Sequence, residues 1–443
     1  MTAYASIAFP LLLITAIVAQ ALWPAYRLMI VLAGAALSCA GASWAGLTTT
    51  AALFAGVPWN VLLILVALGL FAERLAASRL FGLASVQITR LARARPVAVM
   101  VLFALGTYLV SGVVNNLTAL LVVLPVLLTV FTLVGVTQRY AVWTLGLMLV
   151  MCNLGGAATP IGDFPAVLLL GRGAMDFGDY LMGAAPPTLV AVGLLLAIVL
   201  LVVRPARDVP FSSQGQRLTL VLLAQLYRGV QVDQRLLWPC LGALLLMLLG
   251  WLVAPASWGL SPELVAWFGA GLALMARWRE GEAALRRSVD VEAVLFLLAL
   301  FLMVGVVRET GLFDRAAHLL TATTLSPTAQ VVLFLVAAAV LTGLFSAGPS
   351  MAALLDVADV LARQQSPEAI YIGLALAVCA GSSLFLTAAT SGPLTQALVE
   401  RARLRDAHGA PIVFGFREFM PVGLLGFVVI LGVAIARTLW VLG

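Results

Sequence analysis

The stretch Asn153-Leu154-Gly155-Gly156-Ala157-Ala158-Thr159-Pro160-Ile161-Gly162-Asp163-Phe164-Pro165 interrupts an apolar run that otherwise extends from residue 141 to residue 171. Three glycines and two prolines in so short a span oppose a continuous helix, since glycine adds backbone freedom and proline removes a donor and clashes with the preceding turn. The backbone is expected to unwind there, freeing carbonyls for a cation and presenting amides at the start of the next half-helix to an anion. Asp163 is the only acidic residue between Glu73 and Asp176. An acid at such depth points to a cation ligand or a proton carrier; the plainer alternative is an N-cap for the following helix.

The rest of the chain makes that depth a membrane depth. Of 443 residues 63% are hydrophobic and 10% charged, with a mean hydropathy of +1.12, which a water-soluble domain could not carry. Apolar runs of roughly 17 to 22 residues recur, the length that about 30 Å of hydrocarbon demands of a helix, and no two-residue alternation suggests a barrel. Spans are expected at 7–22, 28–43, 58–72, 141–171, 184–203, 236–254, 261–277, 291–307, 369–400 and 419–440, with hairpins entering and leaving on one side at 97–135 and 328–362. The first run lacks a basic segment before it and a small-residue cleavage site after it, so it is read as a span and not as a removable signal.

The basic residues are 25 arginines and no lysine, which removes Schiff-base and lysine general-base chemistry. With the spans above, 20 arginines fall on one face, and Arg172, Arg308, Arg315, Arg363 and Arg437 on the other. The richer face is expected to be cytoplasmic, with both termini outside the cytoplasm. The arginines read as topology anchors, so no nucleic-acid partner is expected. Cys39, Cys152, Cys240 and Cys379 are isolated in apolar surroundings, as small core residues are.

The sequence matches itself at an offset of 231 to 232, with Pro96 on Pro327 and Ser111-Gly112 on Thr342-Gly343, then at 227, with Gly146-Leu147 on Gly373-Leu374 and Cys152 on Cys379. The expected fold is an all-α membrane protein of two repeats, residues 1–205 and 236–443, joined by a cytoplasmic linker at 206–235. Each repeat has five spans and one re-entrant hairpin, with unwound mid-membrane helices. An odd number of crossings inverts the second copy, the architecture of alternating-access carriers.

Matching polar interruptions supply the candidate site. In the first repeat the hairpin tip Ser111-Gly112-Val113-Val114-Asn115-Asn116-Leu117-Thr118 puts two amides into a Leu/Val run, where unpaired they would cost several kcal/mol. In the second repeat the tip Gly343 to Ser350 has no Asn, and the break Gly381 to Pro393 supplies hydroxyls and glycines without a carboxylate. Neutral oxygens and amides suit an anion headgroup or a weak cation site; close helix packing by Ser and Gly is the plainer reading. Asp356 and Asp359 share a helical face beyond the second tip, and Asp356 is a candidate for proton coupling.

At residues 155–165 the chain resembles the ion transporter superfamily, which includes arsenite permeases, NhaD-type sodium/proton antiporters and divalent-anion:sodium symporters. The glycine pair, Thr159-Pro160-Ile161-Gly162-Asp163, Pro165 and the Asn115-Asn116-Leu117-Thr118 tip carry the resemblance. It covers 58–205 well and 290–440 more loosely. It implies paired cation sites flanking one substrate, and a homodimer whose transport domain moves against a scaffold. The implied first site is Asn115, Asn116, Thr118, Asn153, Gly155, Gly156, Thr159 and Asp163; the second is Ser346, Ser350, Ser382, Ser383, Thr387 and Thr390. The family's second tip normally has an Asn, which is missing here. The expected function is elevator-like transport of a small inorganic or carboxylate anion with Na+ or H+ across a bacterial inner membrane. The alternatives are an NhaD-type Na+/H+ antiporter and, further off, a channel. No enzyme, cofactor or metal other than a coupling Na+ is expected, because Gly381-Ser382-Ser383 and Gly162-Asp163 lack the partners a protease needs, and His318 and His408 fall in expected loops.

Overall fold

The computed structural model describes residues 2–443 apart from 24–25, 94, 210–220, 223–224, 226–230, 254–259, 288–290, 322–324, 346 and 389–390. Among the described residues the regular structure is helical, with one isolated bridge between Arg405 and Pro411. The first half contains α1 (Thr2–Leu22), α2 (Arg27–Trp44), α3 (Thr50–Ala55), α4 (Trp59–Ala77), α5 (Leu80–Leu91), α6 (Pro96–Ser111), α7 (Asn116–Val134), α8 (Gln138–Ala158), α9 (Phe164–Gly171) and α10 (Phe177–Ile198), the last continued by a π turn, Val199–Val203. The second contains α11 (Gln234–Val253), α12 (Pro262–Met275), α13 (Trp278–Arg287), α14 (Val291–Glu309), α15 (Leu312–Thr321), α16 (Pro327–Phe345), α17 (Ala347–Ala362), α18 (Pro367–Ser382), α19 (Gly392–Ala402) and α20 (Phe416–Leu442). Nine of the described helices are long and apolar enough to cross a membrane: α2, α4, α7, α8, α10, α11, α14, α16 and α20. This is an integral, multi-pass membrane protein.

Local chemistry sets the boundaries. Proline opens α6 and α18, where its missing N–H costs nothing. Asn115, Thr137 and Ser366 accept hydrogen bonds from the first turns of α7, α8 and α18. Gly135, at φ +68°, ends α7 in the left-handed conformation that glycine adopts without strain.

Two bundles result. In one, α2 packs on α14 and α12 on α4, with α1 beside α2 and α11 beside α12. In the other, α6 packs on α8, α16 on α18, α18 on α20 and α10 on α20. Exchanging the first ten helices for the second ten carries α2–α14 into α12–α4, α1–α2 into α11–α12 and α6–α8 into α16–α18. Among the described residues, α8 and α18, the helices that run into the breaks, belong to the second bundle and are almost wholly buried, while α9, after the first break, packs chiefly on α4 of the first.

Two sequence expectations change, and one helix, α5, was not foreseen. The helix α8 continues through Gly155 and Gly156, and the break is confined to Thr159–Asp163. The two glycines serve close approach: a Cβ on Gly155 would lie 2.1 Å from the Tyr108 carbonyl oxygen. The charged 74–95 region holds a helix, α5, whose Phe81, Ser85, Val86 and Thr89 form a buried stripe; hydropathy alone misses so amphipathic a segment. His318, expected in a loop, lies in α15, whose Leu312 and Phe313 pack on the core. Most of the 206–235 linker lies outside the described residues; at its end the Asp233 N–H donates to Ser78 O and its carboxylate pairs with Arg277.

Candidate functional site

The turn between α6 and α7 meets the break between α8 and α9. The Thr159 hydroxyl donates to Gly112 O at 2.6 Å, pinning the start of the break to the hairpin tip. Ser111 Oγ lies within hydrogen-bonding reach of Asn116 Oδ1 and of the Cys152 carbonyl. A Cβ on Gly162 would lie 2.7 Å from Ser111 O, and one on Gly156 would lie 2.6 Å from Asn116 Oδ1 and 2.8 Å from Asp163 Cβ. The glycines are what let the tip amide and the aspartate share one buried space. Asp163 Oδ1 accepts the Phe164 N–H at 2.8 Å and so caps α9. The capping reading and the ligand reading coexist, because a carboxylate has lone pairs beyond the one a cap uses.

Carbonyl oxygens of Ser111 and Gly156, the Asn116 side chain and Asp163 thus border one another at a helix break. Oxygens of this kind, with one negative charge, suit a small cation or a proton. The adjoining asparagine does something else: Asn115 is exposed and its side chain accepts from the Thr118 N–H at 2.8 Å as the cap of α7. Thr118 is half-buried.

Asn153 reaches across to the second half. Its side-chain amide donates to Ser382 O at 3.2 Å and to Ser383 Oγ at 3.1 Å, tying the end of α8 to the end of α18. Ser382 and Ser383 turn their own hydroxyls back to the carbonyls of Val378 and Cys379. The second tip approaches the second break as the first tip approaches the first: a Cβ on Gly381 would lie 2.9 Å from the Gly343 amide nitrogen. Ser350 is buried in the first turn of α17, its hydroxyl unpartnered among the described residues. Thr387 is exposed, and Ser346 and Thr390 lie outside the described residues.

Asp356 stands apart from both breaks. Its carboxylate accepts from Arg172 at 3.0 Å, just past α9, and from both Nε and Nη2 of Arg308 on α14. Asp359 accepts from the Tyr371 hydroxyl at 2.9 Å. Sequence reasoning passed over Tyr180, whose hydroxyl donates to Ala157 O at 2.9 Å in the last turn of α8, and Ser391, the buried N-cap position of α19. A tyrosine in an apolar run, with a hydroxyl that needs a partner, was the available signal for the first.

A bundle of broken, glycine-crossed helices with polar groups meeting at the breaks is the interior of a membrane transporter, not of an enzyme. The chain belongs to the citrate transporter family, whose model matches residues 11–377 and 256–442. It is similar to an uncharacterized transporter of Mycobacterium tuberculosis, at 28% identity over 365 residues and 81% of each chain. It is also similar to the magnetosome protein MamN of Magnetospirillum gryphiswaldense, at 28% over 414 residues and 91% of each chain. Among solved structures the Alcanivorax borkumensis YdaH transporter shares the fold, with a TM-score of 0.58, 16% identity, and coverage of 86% of this chain and 84% of that one. The superfamily resemblance carried by residues 155–165 and 115–118 agrees with these findings.

Proposed function

We propose that this protein is an ion-coupled secondary transporter that moves a small anion across the bacterial inner membrane together with Na+ or H+. The observation that carries the reading is the meeting of Asn116 and Asp163 across Gly156 at the α8–α9 break, joined to the second break through Asn153. A carboxylate there binds the coupling cation, and the substrate sits between the two breaks. Two halves of like helix order, inverted in the membrane, exchange conformations so that the site opens to one side and then the other. The bundle that holds the breaks moves against the one built on α2, α4, α12 and α14, and two copies of the chain join through the latter. Both termini lie outside the cytoplasm, opposite the arginine-rich face.

Because the family is that of citrate transporters, citrate is the first anion to try, with other carboxylates and inorganic anions after it. Proteoliposomes loaded with unlabelled anion and diluted into trace labelled anion read counterflow. A transient overshoot supports a carrier, and simple equilibration at channel rates contradicts it. A second reading, Na+/H+ antiport without an anion, is favoured by the solitary Asp163, since one titratable group can bind either ion alternately. Proton movement driven by Na+ in anion-free vesicles would select it.

A further inference from the structure

The seam between the two bundles is bridged at one side and open at the other. At the side where α9, α14 and α17 end, which the arginine distribution assigns to the outside, two sets of contacts cross it. The Asp356 carboxylate on α17 accepts from Arg308 of α14, through Nε at 3.0 Å and through Nη2, and from Arg172, just past α9, at 3.0 Å. The Asn60 side chain, at the start of α4, donates to the Gly171 carbonyl at the end of α9. Gly171 lies so close to α4 that a Cβ on it would stand 2.6 Å from Val61 Cγ2 and 3.1 Å from Val61 Cα. The side chains of Asp356 and Arg172 are only 9% and 17% exposed, so salt and solvent screen their pairing only in part.

The repeat sets the matching positions at the cytoplasmic side. Aligned on the starts of α4 and α14, Arg308 corresponds to Ala76; on the starts of α7 and α17, Asp356 corresponds to Pro125. Neither alanine nor proline can form an ion pair. Asn60 corresponds to Glu292, which instead pairs with Arg27 of α2 at 3.0 Å. Thr395 and Gln396 of α19 hydrogen-bond within their own helix, to Ser391 and Glu400. Whereas α9 packs on α4, among the described residues α19 has no such packing on α14. Where the outer side has its charges, the cytoplasmic side has a cavity of about 400 Å³, bordered by Pro125, Leu128 and Thr132 of α7 and by Ala402 at the end of α19. Two like halves would close alike on both sides if their side chains matched; the difference is written into the sequence at these positions.

Resting on the transport reading and the orientation above, we infer that Asp356, Arg172 and Arg308 form an ionic latch that holds the outer mouth of the transporter shut, so that the ligand-free protein rests open to the cytoplasm. Asp356 is then a positioning residue and not a carrier of the coupling ion, because its carboxylate is already engaged by two guanidinium groups. Outward opening parts α17 from α14 and breaks these pairs, and no pair at Ala76 and Pro125 forms in exchange. Ligands that favour the outward state do so by binding it more tightly than the latched one.

The test is side-specific labelling of the full-length protein by an impermeant maleimide, in right-side-out and inverted vesicles, in a cysteine-free background. Ala352→Cys lies one helical turn from Asp356 on the same face of α17, at a position 0% exposed; Thr132→Cys borders the cytoplasmic cavity. Without substrate, Thr132→Cys should react from the cytoplasmic side and Ala352→Cys should be nearly inert from outside. Adding Asp356→Asn or Arg308→Gln should speed the outside labelling of Ala352→Cys by about tenfold or more, the change in an opening equilibrium expected from a broken, partly buried charge pair. Asp356→Glu, which keeps the charge, should leave it near the parent rate. Native Cys240, 0% exposed in α11, is retained in a parallel set and should stay unlabelled in every variant, which separates opening from unfolding. Outside labelling of Ala352→Cys as slow in Asp356→Asn and Arg308→Gln as in their parent overturns the latch and leaves the transport reading intact. Thr132→Cys reacting from outside, or from neither side, overturns the assignment of the open mouth. Absence of counterflow for every anion in wild type overturns the transport reading, whatever the labelling shows.

Discussion

Placing a methyl group on Gly156 separates the parts of the first site without removing any of them. The Cβ of Gly156→Ala would stand 2.6 Å from Asn116 Oδ1 and 2.8 Å from Asp163 Cβ. Non-bonded carbon contacts have their minimum at about 3.5–4.0 Å, so both neighbours must retreat by roughly half an ångström or more. Neither can do so freely, since Asp163 is tied to the Phe164 N–H and Asn116 is held beside Ser111. Overpacking of this kind costs about 1–3 kcal/mol. Sites of this sort tolerate displacement of only about 0.5 Å. The matched controls are Gly193→Ala and Gly242→Ala, at helical glycines whose added Cβ would touch nothing within 4 Å. Those should stabilise by up to about 1 kcal/mol, the helix-propensity gain of alanine over glycine. Thermal unfolding with and without Na+ reads all three. Gly156→Ala should unfold at a lower temperature and lose its Na+ response, while the controls unfold at or above the wild-type temperature with the response intact. A Gly156→Ala protein as stable and as Na+-responsive as wild type would refute the placement of Asn116 and Asp163 around one ion.

Asn153→Ala removes the amide that joins the two breaks and leaves the Ser382 carbonyl short of a partner; unfolding should fall by about 1–3 kcal/mol, with ion binding and anion binding less cooperative in paired titrations. Asp356→Asn strands Arg172, 17% exposed at its side chain, beside the half-exposed Arg308; a loss of about 1–3 kcal/mol is expected after allowing for solvent around Arg308, and combining it with Arg172→Gln should cost less than the sum in a double-mutant cycle. In a cysteine-free background, His408→Cys should react with an impermeant maleimide only from the cytoplasmic side and Gln364→Cys only from outside, in right-side-out and inverted vesicles compared directly. The reverse pattern would overturn the orientation drawn from the arginines.

Much of this was legible in the residues. Pro96, Pro160, Pro165 and the Asn115 cap mark helix ends of the first half directly, because each imposes a local backbone requirement. The lone Asp163 drew notice for another reason, that no other acid lies near it in sequence, and it stands at the α8–α9 break. Which of Asn115 and Asn116 turns inward was not legible, since it depends on the phase of α7 after the Gly112 turn. Gly155 and Gly156 misled because glycine serves both unwinding and close approach, and only the position of the Tyr108 carbonyl decides between them. The ion pairs of Asp356 join residues 184 and 48 positions away, beyond any local signal.

The most direct test of the account is uptake of labelled candidate anions, one at a time, into proteoliposomes under an imposed inward gradient of Na+ or of protons, wild type beside Asp163→Asn. The account predicts anion uptake that one of the two gradients accelerates in wild type and that is lost in Asp163→Asn; gradient-driven uptake in Asp163→Asn equal to wild type would contradict it.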